Sequence, residues 1–259
     1  MHTFVVLAYK ESKYLEECIK SVLNQSLKTN VVIATSTPND YIYDMAKKYN
    51  LDVIVNENSK GIGYDFDFAV NCVNTELVTV AHQDDIYDYE YAKSVVSVYE
   101  KNKNSIIIFT DYYEIKNGNK VLSNKNLKIK RILLSPLRLK LLNSLKIVKR
   151  MVLSFGCSIC CPSVTFVKAN ITKEIFACDF KCDVDWNAWE KLSNRKGKFS
   201  FIHFKLMGHR VHDDSTTTEI IKDNIRTKED YEILCRFWPK FIAKFINKFY
   251  KKSEDSNFK

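Results

Sequence analysis

Leu77-Val78-Thr79-Val80-Ala81-His82-Gln83-Asp84-Asp85 is an apolar run that stops abruptly in an imidazole, an amide and two adjacent carboxylates. A short run of this kind predicts a strand buried on both faces, the form strands take in parallel sheets covered by helices. In such sheets ligands bind beyond the carboxyl ends of the strands. Oxygen and nitrogen donors at that edge suit a hard divalent cation with a phosphate beside it. The stretch therefore predicts an α/β chain that handles a nucleotide.

Working outward, further short strands are expected at Phe4–Ala8, Val31–Thr35, Asp52–Val55 and Ile106–Thr110. Between the first two, Leu15, Cys18, Ile19, Val22 and Leu23 recur at helical spacing after Ser12, a suitable N-cap, and Ala92, Val95, Val96 and Tyr99 repeat the pattern. This alternation predicts a Rossmann-like, mostly parallel sheet flanked by helices. After Asp111 the pattern loosens: Asn117-Gly118 reads as a turn, and 125–152 as a basic, leucine-rich segment interrupted by Pro136. Residues 155–218 are compact and aromatic, and the chain reads as helical from Lys222 onward. The expected organisation is a domain over 1–220, with a nucleotide-binding half (1–111) and an acceptor-side half (112–220), followed by a basic amphipathic helical tail over 221–259.

With 259 residues, 46% of them hydrophobic, the chain can bury a full core. The net charge of +9 is concentrated in 125–150 and 236–252, which points to an anionic partner surface. No apolar run is long enough to span a bilayer, and the first residues lack the pattern of an export signal, so a cytoplasmic location is expected. Cys157, Cys160, Cys161, Cys178 and Cys182 crowd together, but their spacing departs from paired zinc ligands. Reduced, packed thiols are expected instead.

Three clusters carry chemistry: His82 to Asp85, Asp183-Val184-Asp185-Trp186-Asn187-Ala188-Trp189, and His209-Arg210-Val211-His212-Asp213-Asp214-Ser215. A departing nucleoside diphosphate gathers negative charge, so a divalent cation and positive donors must face it. Asp84 and Asp85 are the candidate metal ligands, with His212 as a further contact to metal or phosphate. An acceptor hydroxyl needs a carboxylate to take its proton, and Asp185 is the candidate base, with Asp183 in reserve.

The order of these clusters resembles family 2 glycosyltransferases of the GT-A fold. Val5-Val6-Leu7-Ala8-Tyr9-Lys10-Glu11 looks like that family's opening nucleotide-binding strand, and 14–25, ending in Ser-Val-Leu-Asn-Gln, is similar to its first helix. Val78 to Asp85 falls where the family places its Asp-x-Asp strand end. Residues 185–192 resemble its acidic-pair helix, and His209 to Ser215 resemble the segment that closes over the donor. The resemblance spans residues 3–218 and implies an inverting transfer of sugar from a nucleotide-diphosphate sugar, by default a UDP-sugar. The tryptophan pair sets the register that makes Asp185 the base; a slip of two gives the role to Asp183.

The expected donor-binding residues are Ala8, Tyr9, Glu11, Ser36, Gly61, Asp65, His82 and Asp84. Two departures stand out. The family's acid at the end of the second strand is absent, leaving Ser36 or Thr35 to meet the base. His82 replaces the first acid of Asp-x-Asp, which either favours manganese over magnesium or limits His82 to touching sugar or phosphate. Gly61-Ile62-Gly63 reads as a turn that lets backbone approach the donor, and Asp65 and Asp67 as helix N-terminal charges or contacts to the sugar. The small residues of 156–166 either line the substrate cleft or pack the sheet closely.

Trp238, Phe241, Ile242, Phe245, Ile246 and Phe249 mark one apolar face beside Lys240, Lys244, Lys248, Lys251 and Lys252. An anionic membrane surface, at the inner face of the cell membrane, is the expected partner, with a polysaccharide or lipid-linked glycan as acceptor. No nucleic-acid motif accompanies the basic charge. Two rival readings are a nucleotidyltransferase and a catalytically silent, membrane-associated interaction module of the same fold.

Overall fold

The computed structural model describes residues 1–212 and 225–255, with side chains as far as Phe249. In the first half, β1 (His2–Ala8), β2 (Asn30–Thr35), β3 (Val53–Val55) and β4 (Leu77–His82) alternate with α1 (Leu15–Leu23), α2 (Asp40–Tyr49) and α3 (Ile62–Asn71). Then follow β5 (Ile86–Tyr87), α4 (Tyr91–Lys101), β6 (Ser105–Lys116), β7 (Asn119–Val121), α5 (Lys125–Leu134) and α6 (Lys146–Met151). The chain closes with β8 (Val164–Val167), α7 (Val184–Ser193), β9 (Lys198–Val211), α8 (Ile225–Leu234) and α9 (Lys240–Asp255).

Among the described residues all strands join one sheet in the order β3-β2-β1-β4-β8-β6-β9-β5, with β7 paired to β6. The expected parallel arrangement holds for β3-β2-β1-β4. Beyond β4 the sheet is mixed: β8 runs antiparallel to both β4 and β6, while β9 is parallel to β6. Side chains of β1 alternate between two cores on opposite faces, Val5 with one and Phe4 and Val6 with the other.

Several boundaries differ from expectation for identifiable reasons. Leu15 opens α1 after Tyr14, and the Ser12 hydroxyl accepts the Tyr14 N–H instead of capping the helix. Strand β6 runs on to Lys116 because its buried acids find half-buried partners: Arg131 Nε donates to Asp111 at 2.8 Å, and Asn124 Nδ2 donates to Glu114 at 2.8 Å. Pro136 does break the basic segment, between α5 and α6, with a short 3-10 turn. The expected boundary at 220/221 lies outside the described residues. Past it, Ile233 and Leu234 of α8 and Ala243 of α9 are fully buried in the core that holds Trp186 and Trp189.

Gly197, just before β9, has φ +123°, and a Cβ there would lie 2.6 Å from the Asn104 carbonyl oxygen and 2.8 Å from Ile106. Gly118, the turn glycine at φ +77°, has open space around it. Gly197→Ala is expected to cost roughly 3 kcal/mol of unfolding free energy by urea denaturation, and Gly118→Ala about 1 kcal/mol.

Candidate active site

The carboxyl ends of β1, β2 and β4 meet on one edge and are tied by their own loops. Tyr9 N–H donates to Gln83 Oε1 at 3.0 Å while Gln83 Nε2 donates to the Tyr9 carbonyl at 2.9 Å. Lys10, at φ +53°, turns the chain so that its N–H reaches Thr37 Oγ1 at 2.6 Å. Ala8 is buried at this edge, whereas Tyr9 and Glu11 stand exposed beside it.

At the end of β4 the adjacent carboxylates point different ways. Asp85 is fully buried; it accepts the Arg210 N–H at 2.8 Å and lies 3.1 Å from His209 Nδ1, so it holds β9 against the β4 turn. Asp84 is more accessible and meets His212 Nε2 at 3.0 Å. Arg210 closes the turn: its Nε donates to the Asp84 carbonyl at 2.9 Å, its guanidinium pairs with Glu17, and it lies 4.3 Å from the centre of the Tyr14 ring.

His82 stacks obliquely on Phe66 at 5.2 Å, and its burial lowers its pKa despite the neighbouring Asp85 and Asp84 charges, which favours the neutral imidazole. Its Nε2 is buried with no hydrogen-bond partner among the described residues. For Asp84, burial pushes the carboxyl up, but the His212 hydrogen bond and the His82 and His209 charges outweigh it and hold it below the usual carboxylate value. Burial pulls His209 down, yet the Asp85 carboxylate more than compensates, and its pKa is raised. His82, Asp84 and Asp85 each offer a donor atom within 4.8 Å of the other two. An orphaned imidazole nitrogen beside two carboxylates is a donor set that fits a divalent cation. His212 stands at the edge of that set through its contact with Asp84; Asp213, Asp214 and Ser215 lie outside the described residues.

Along α3 the sequence reading needs revision. Gly61 is the exposed residue before the helix, at φ +130°, with open space where a Cβ would be, so backbone there is accessible as expected. Gly63 is inside the helix, and its missing Cβ admits the Phe176 carbonyl, which an added carbon would approach to 2.7 Å. Asp65 accepts hydrogen bonds from Ser36 Oγ and Asn56 Nδ2, both at 2.8 Å. The acid missing from the end of β2 is thus supplied to that place by α3, through a contact that no local pattern reveals. Asp67 is buried and accepts the N–H groups of Ile175, Phe176 and Ala177 at 2.7–3.2 Å, which engages it with backbone.

Asp185 occupies the first turn of α7, half buried. Its Oδ1 accepts the Trp186 N–H at 2.7 Å and its Oδ2 accepts the Cys157 thiol at 3.4 Å. Burial, then the Asp185 charge, pushes the Cys157 thiol well above its usual pKa, so it remains a thiol. The Asp185 charge acts on His82, and the charges of both Asp185 and Asp85 act on Cys160 and Cys161, so base candidate and cation cluster belong to one electrostatic neighbourhood. Asp183 is 2% exposed, and burial followed by the neighbouring Asp230 carboxylate raises its pKa well above normal. It faces the protein interior. The tryptophans that set the register are fully buried, Trp186 donating from Nε1 to the Leu153 carbonyl at 3.0 Å.

A sheet with a parallel β3-β2-β1-β4 half, a carboxylate-imidazole cluster at the end of β4 and a separate acid on a later helix match the GT-A class of fold. The sequence model for glycosyl transferase family 2 matches residues 3–176, and the chain belongs to that family. No curated protein matches by sequence. Among solved structures, S. aureus TarS 1-349 with UDP-GlcNAc is similar, at 19% identity and TM-score 0.66, over 90% of this chain and 64% of that one. The mannosyltransferase PcManGT from Pyrobaculum calidifontis, with GDP-Man and Mn2+, matches at 11% identity and TM-score 0.61, over 94% and 68%. Glucosyl-3-phosphoglycerate synthase from Mycobacterium tuberculosis, with UDP, matches at 14% identity and TM-score 0.55, over 91% and 79%. The chain spans less than two thirds of the length of the TarS chain. It has the fold of these structures, which were solved with UDP-GlcNAc, GDP-Man and UDP.

The two acids of the β4 turn are expected to separate by substitution. Asp85→Ala leaves the Arg210 N–H and His209 without their buried acceptor and should cost about 2–4 kcal/mol in urea denaturation. Asp84→Ala, at a more accessible site, should cost about 1 kcal/mol or less.

Proposed function

We propose that the chain is an inverting transferase of a UDP-linked sugar, with Asp185 as general base and a divalent cation, manganese or magnesium, held by Asp84, Asp85 and His82. The observation that carries this reading is the cluster of His82, Asp84 and Asp85 at the carboxyl end of β4, beside the donor edge of β1 and β2, with the Asp185 carboxylate near enough for its charge to act on His82. When bound, the cation would neutralise charge on the leaving diphosphate. His212 stands at Asp84, placed to meet a phosphate oxygen. Ser36, with Asp65 and Asn56 behind it, is the surface offered to base and ribose, and Gly61 exposes backbone beside it.

Asp185 accepts the proton of the acceptor hydroxyl as that oxygen attacks the anomeric carbon from the face opposite the diphosphate. One base acting in one displacement inverts the anomeric configuration. The Cys157 thiol and the Trp186 N–H hold the two carboxylate oxygens, one each, and fix the orientation of the base. A cell-surface polysaccharide or lipid-linked glycan is the proposed acceptor.

The tail differs from its expected single face. Ala243 and Ile246 pack into the core and Trp238 Nε1 donates to the Ser154 carbonyl at 2.7 Å, whereas Phe241, Phe245 and Phe249 form an outward stripe, 75%, 64% and 58% exposed. The inward set is fixed by tertiary contacts that helical periodicity alone does not distinguish. Beside Trp238 a groove of about 510 Å³, lined by Lys146, Ile147, Arg150, Met151 and Phe237, extends the apolar, basic surface. Its Ile147 and Met151 are exposed, and outside the groove the exposed Phe155 ring lies 5.3 Å from that of Trp238. No helix among the described residues is long and apolar enough to cross a membrane. Phenylalanines flanked by Lys240, Lys244 and Lys248 suit the headgroup region of an anionic bilayer, and peripheral attachment at the inner face of the cell membrane is the proposed location.

Incubation with a panel of nucleotide sugars and Mn2+ should release nucleoside diphosphate; no turnover and no metal-dependent UDP binding would overturn the reading. Asp185→Asn should lower kcat by about 10²–10⁴-fold while UDP affinity by calorimetry stays within about twofold. Asp65→Asn should weaken UDP binding by about tenfold through loss of a charged hydrogen bond. Sedimentation with phosphatidylserine-containing vesicles should retain the wild type, and a Phe241→Ser, Phe245→Ser, Phe249→Ser variant should bind at least about tenfold more weakly. Equal binding of the two proteins would place the contact elsewhere.

A further inference from the structure

The segment from Lys173 to Asp183, which leads into α7, has no strand to satisfy its backbone, yet side chains from three helices bind it. Asn71 Nδ2 of α3 donates to the Lys173 carbonyl at 2.8 Å. Asp67, also of α3, accepts three consecutive N–H groups, those of Ile175, Phe176 and Ala177. Lys191 of α7 donates back to the Ile175 and Ala177 carbonyls at 3.3 and 3.2 Å. At the other end, Glu229 of α8 accepts the N–H groups of Lys181, Cys182 and Asp183 at 2.8, 2.8 and 3.0 Å. Asp67 and Glu229 are 7% and 8% exposed, so both clamps are charge-assisted and shielded from water.

We infer that Glu229 is a positioning residue for the reaction: by clamping the three amides that precede α7, it sets where Asp185 stands. The geometry is direct. Asp183 is both the last residue held by Glu229 and the first carbonyl acceptor of α7, taking the Asn187 N–H at 2.9 Å, and Asp185 follows two residues later. The α8 end is itself anchored to α7, with Arg236 Nη1 donating to Asn187 Oδ1 at 2.8 Å. Asp67 fixes the far end of the same segment from the donor half, and Gly63 on that face of α3 lets the Phe176 carbonyl approach closely. Donor half and C-terminal helices thereby hold the base between them. A carboxylate meets three converging donors with two oxygens; a glutamine in its place turns an NH₂ toward at least one of them. Displacement of a base by about 1 Å is enough to cost up to about 100-fold in rate.

This inference rests on the assignment of Asp185 as base, and the test separates the two. Glu229→Gln, Glu229→Asp and Asp185→Asn are compared with wild type for UDP affinity in Mn2+, for kcat per UDP-competent molecule with the donor active in the nucleotide-sugar panel, and for amide hydrogen exchange over 181–190. Glu229→Gln is expected to lower kcat by about 10- to 100-fold, to leave UDP affinity within about twofold, and to speed exchange at 181–187. Glu229→Asp, which keeps the charge on a shorter arm, is expected to recover part of the kcat. A Glu229→Gln enzyme with faster exchange but wild-type kcat overturns the inference, as does loss of UDP affinity in parallel with kcat. Wild-type kcat in Asp185→Asn instead removes the base assignment, while the exchange data still report whether Glu229 holds 181–183. Should Glu229→Gln fail to fold, Glu229→Asp carries the same decision through its kcat and UDP affinity.

Discussion

Buried carboxylates that grip backbone amides are the constraint on which the site depends. Asp85 holds the Arg210 N–H, Asp67 holds the amides of 175–177, and Glu229 holds those of 181–183. Each joins segments far apart in sequence, Asp67 and Glu229 where no strand pairing is available, and a buried amide without an acceptor is costly. A carboxylate serves here because its charge strengthens each bond and its two oxygens receive several donors. Each gripped segment leads toward chemistry: β9 toward His212, and the 173–183 segment toward Asp185.

The donor half was largely legible because its contacts are local and periodic. Strands β1, β2 and β4 and helices α1 and α4 follow hydrophobic patterns within short windows, and the acid-tipped end of β4 marks the ligand edge by itself. The register from the buried tryptophans also drew attention to Asp185. Other features were illegible because their meaning sits on a distant partner. The amides bound by Asp67 lie 108–110 residues away, so a first-turn helix charge and a buried clamp look identical in sequence. Asn56 carries no motif, and its value becomes visible only with Ser36 and Asp65 in contact. Polar residues in β6 concealed half a strand because Arg131 and Asn124 lie beyond the strand itself.

The tail shows the same limit from the apolar side. A helix with aromatics on more than one side predicts amphipathicity but not which side faces the core. Tertiary packing decides: Ala243 is small enough to seat against α8 and the core, and that choice rotates Phe241, Phe245 and Phe249 outward. Burial of Ala243 and exposure of the bulkier rings reverses what hydrophobicity alone would choose. An outward stripe retained at that expense is what an apolar partner surface requires.

The division of labour between Asp84 and Asp85 gives the His82 substitution a physical sense. Asp85 already spends both oxygens on β9, through the Arg210 N–H and His209, and is sealed from solvent. Asp84 therefore presents the more accessible carboxylate at the turn, and Asp85 offers the cation only the lone pairs that holding β9 leaves over. A second carboxylate at 82 would add a third negative charge to a buried cluster, raising the repulsion that burial already amplifies. A neutral imidazole with a free nitrogen supplies a donor without that charge. On the proposed reading the site exchanges electrostatic strength for a softer donor, which moves its preference from magnesium toward manganese. The histidine that departs from the family pattern is then the residue that lets Asp85 brace the fold as well as border the cation cluster, while Asp84 faces the ligand.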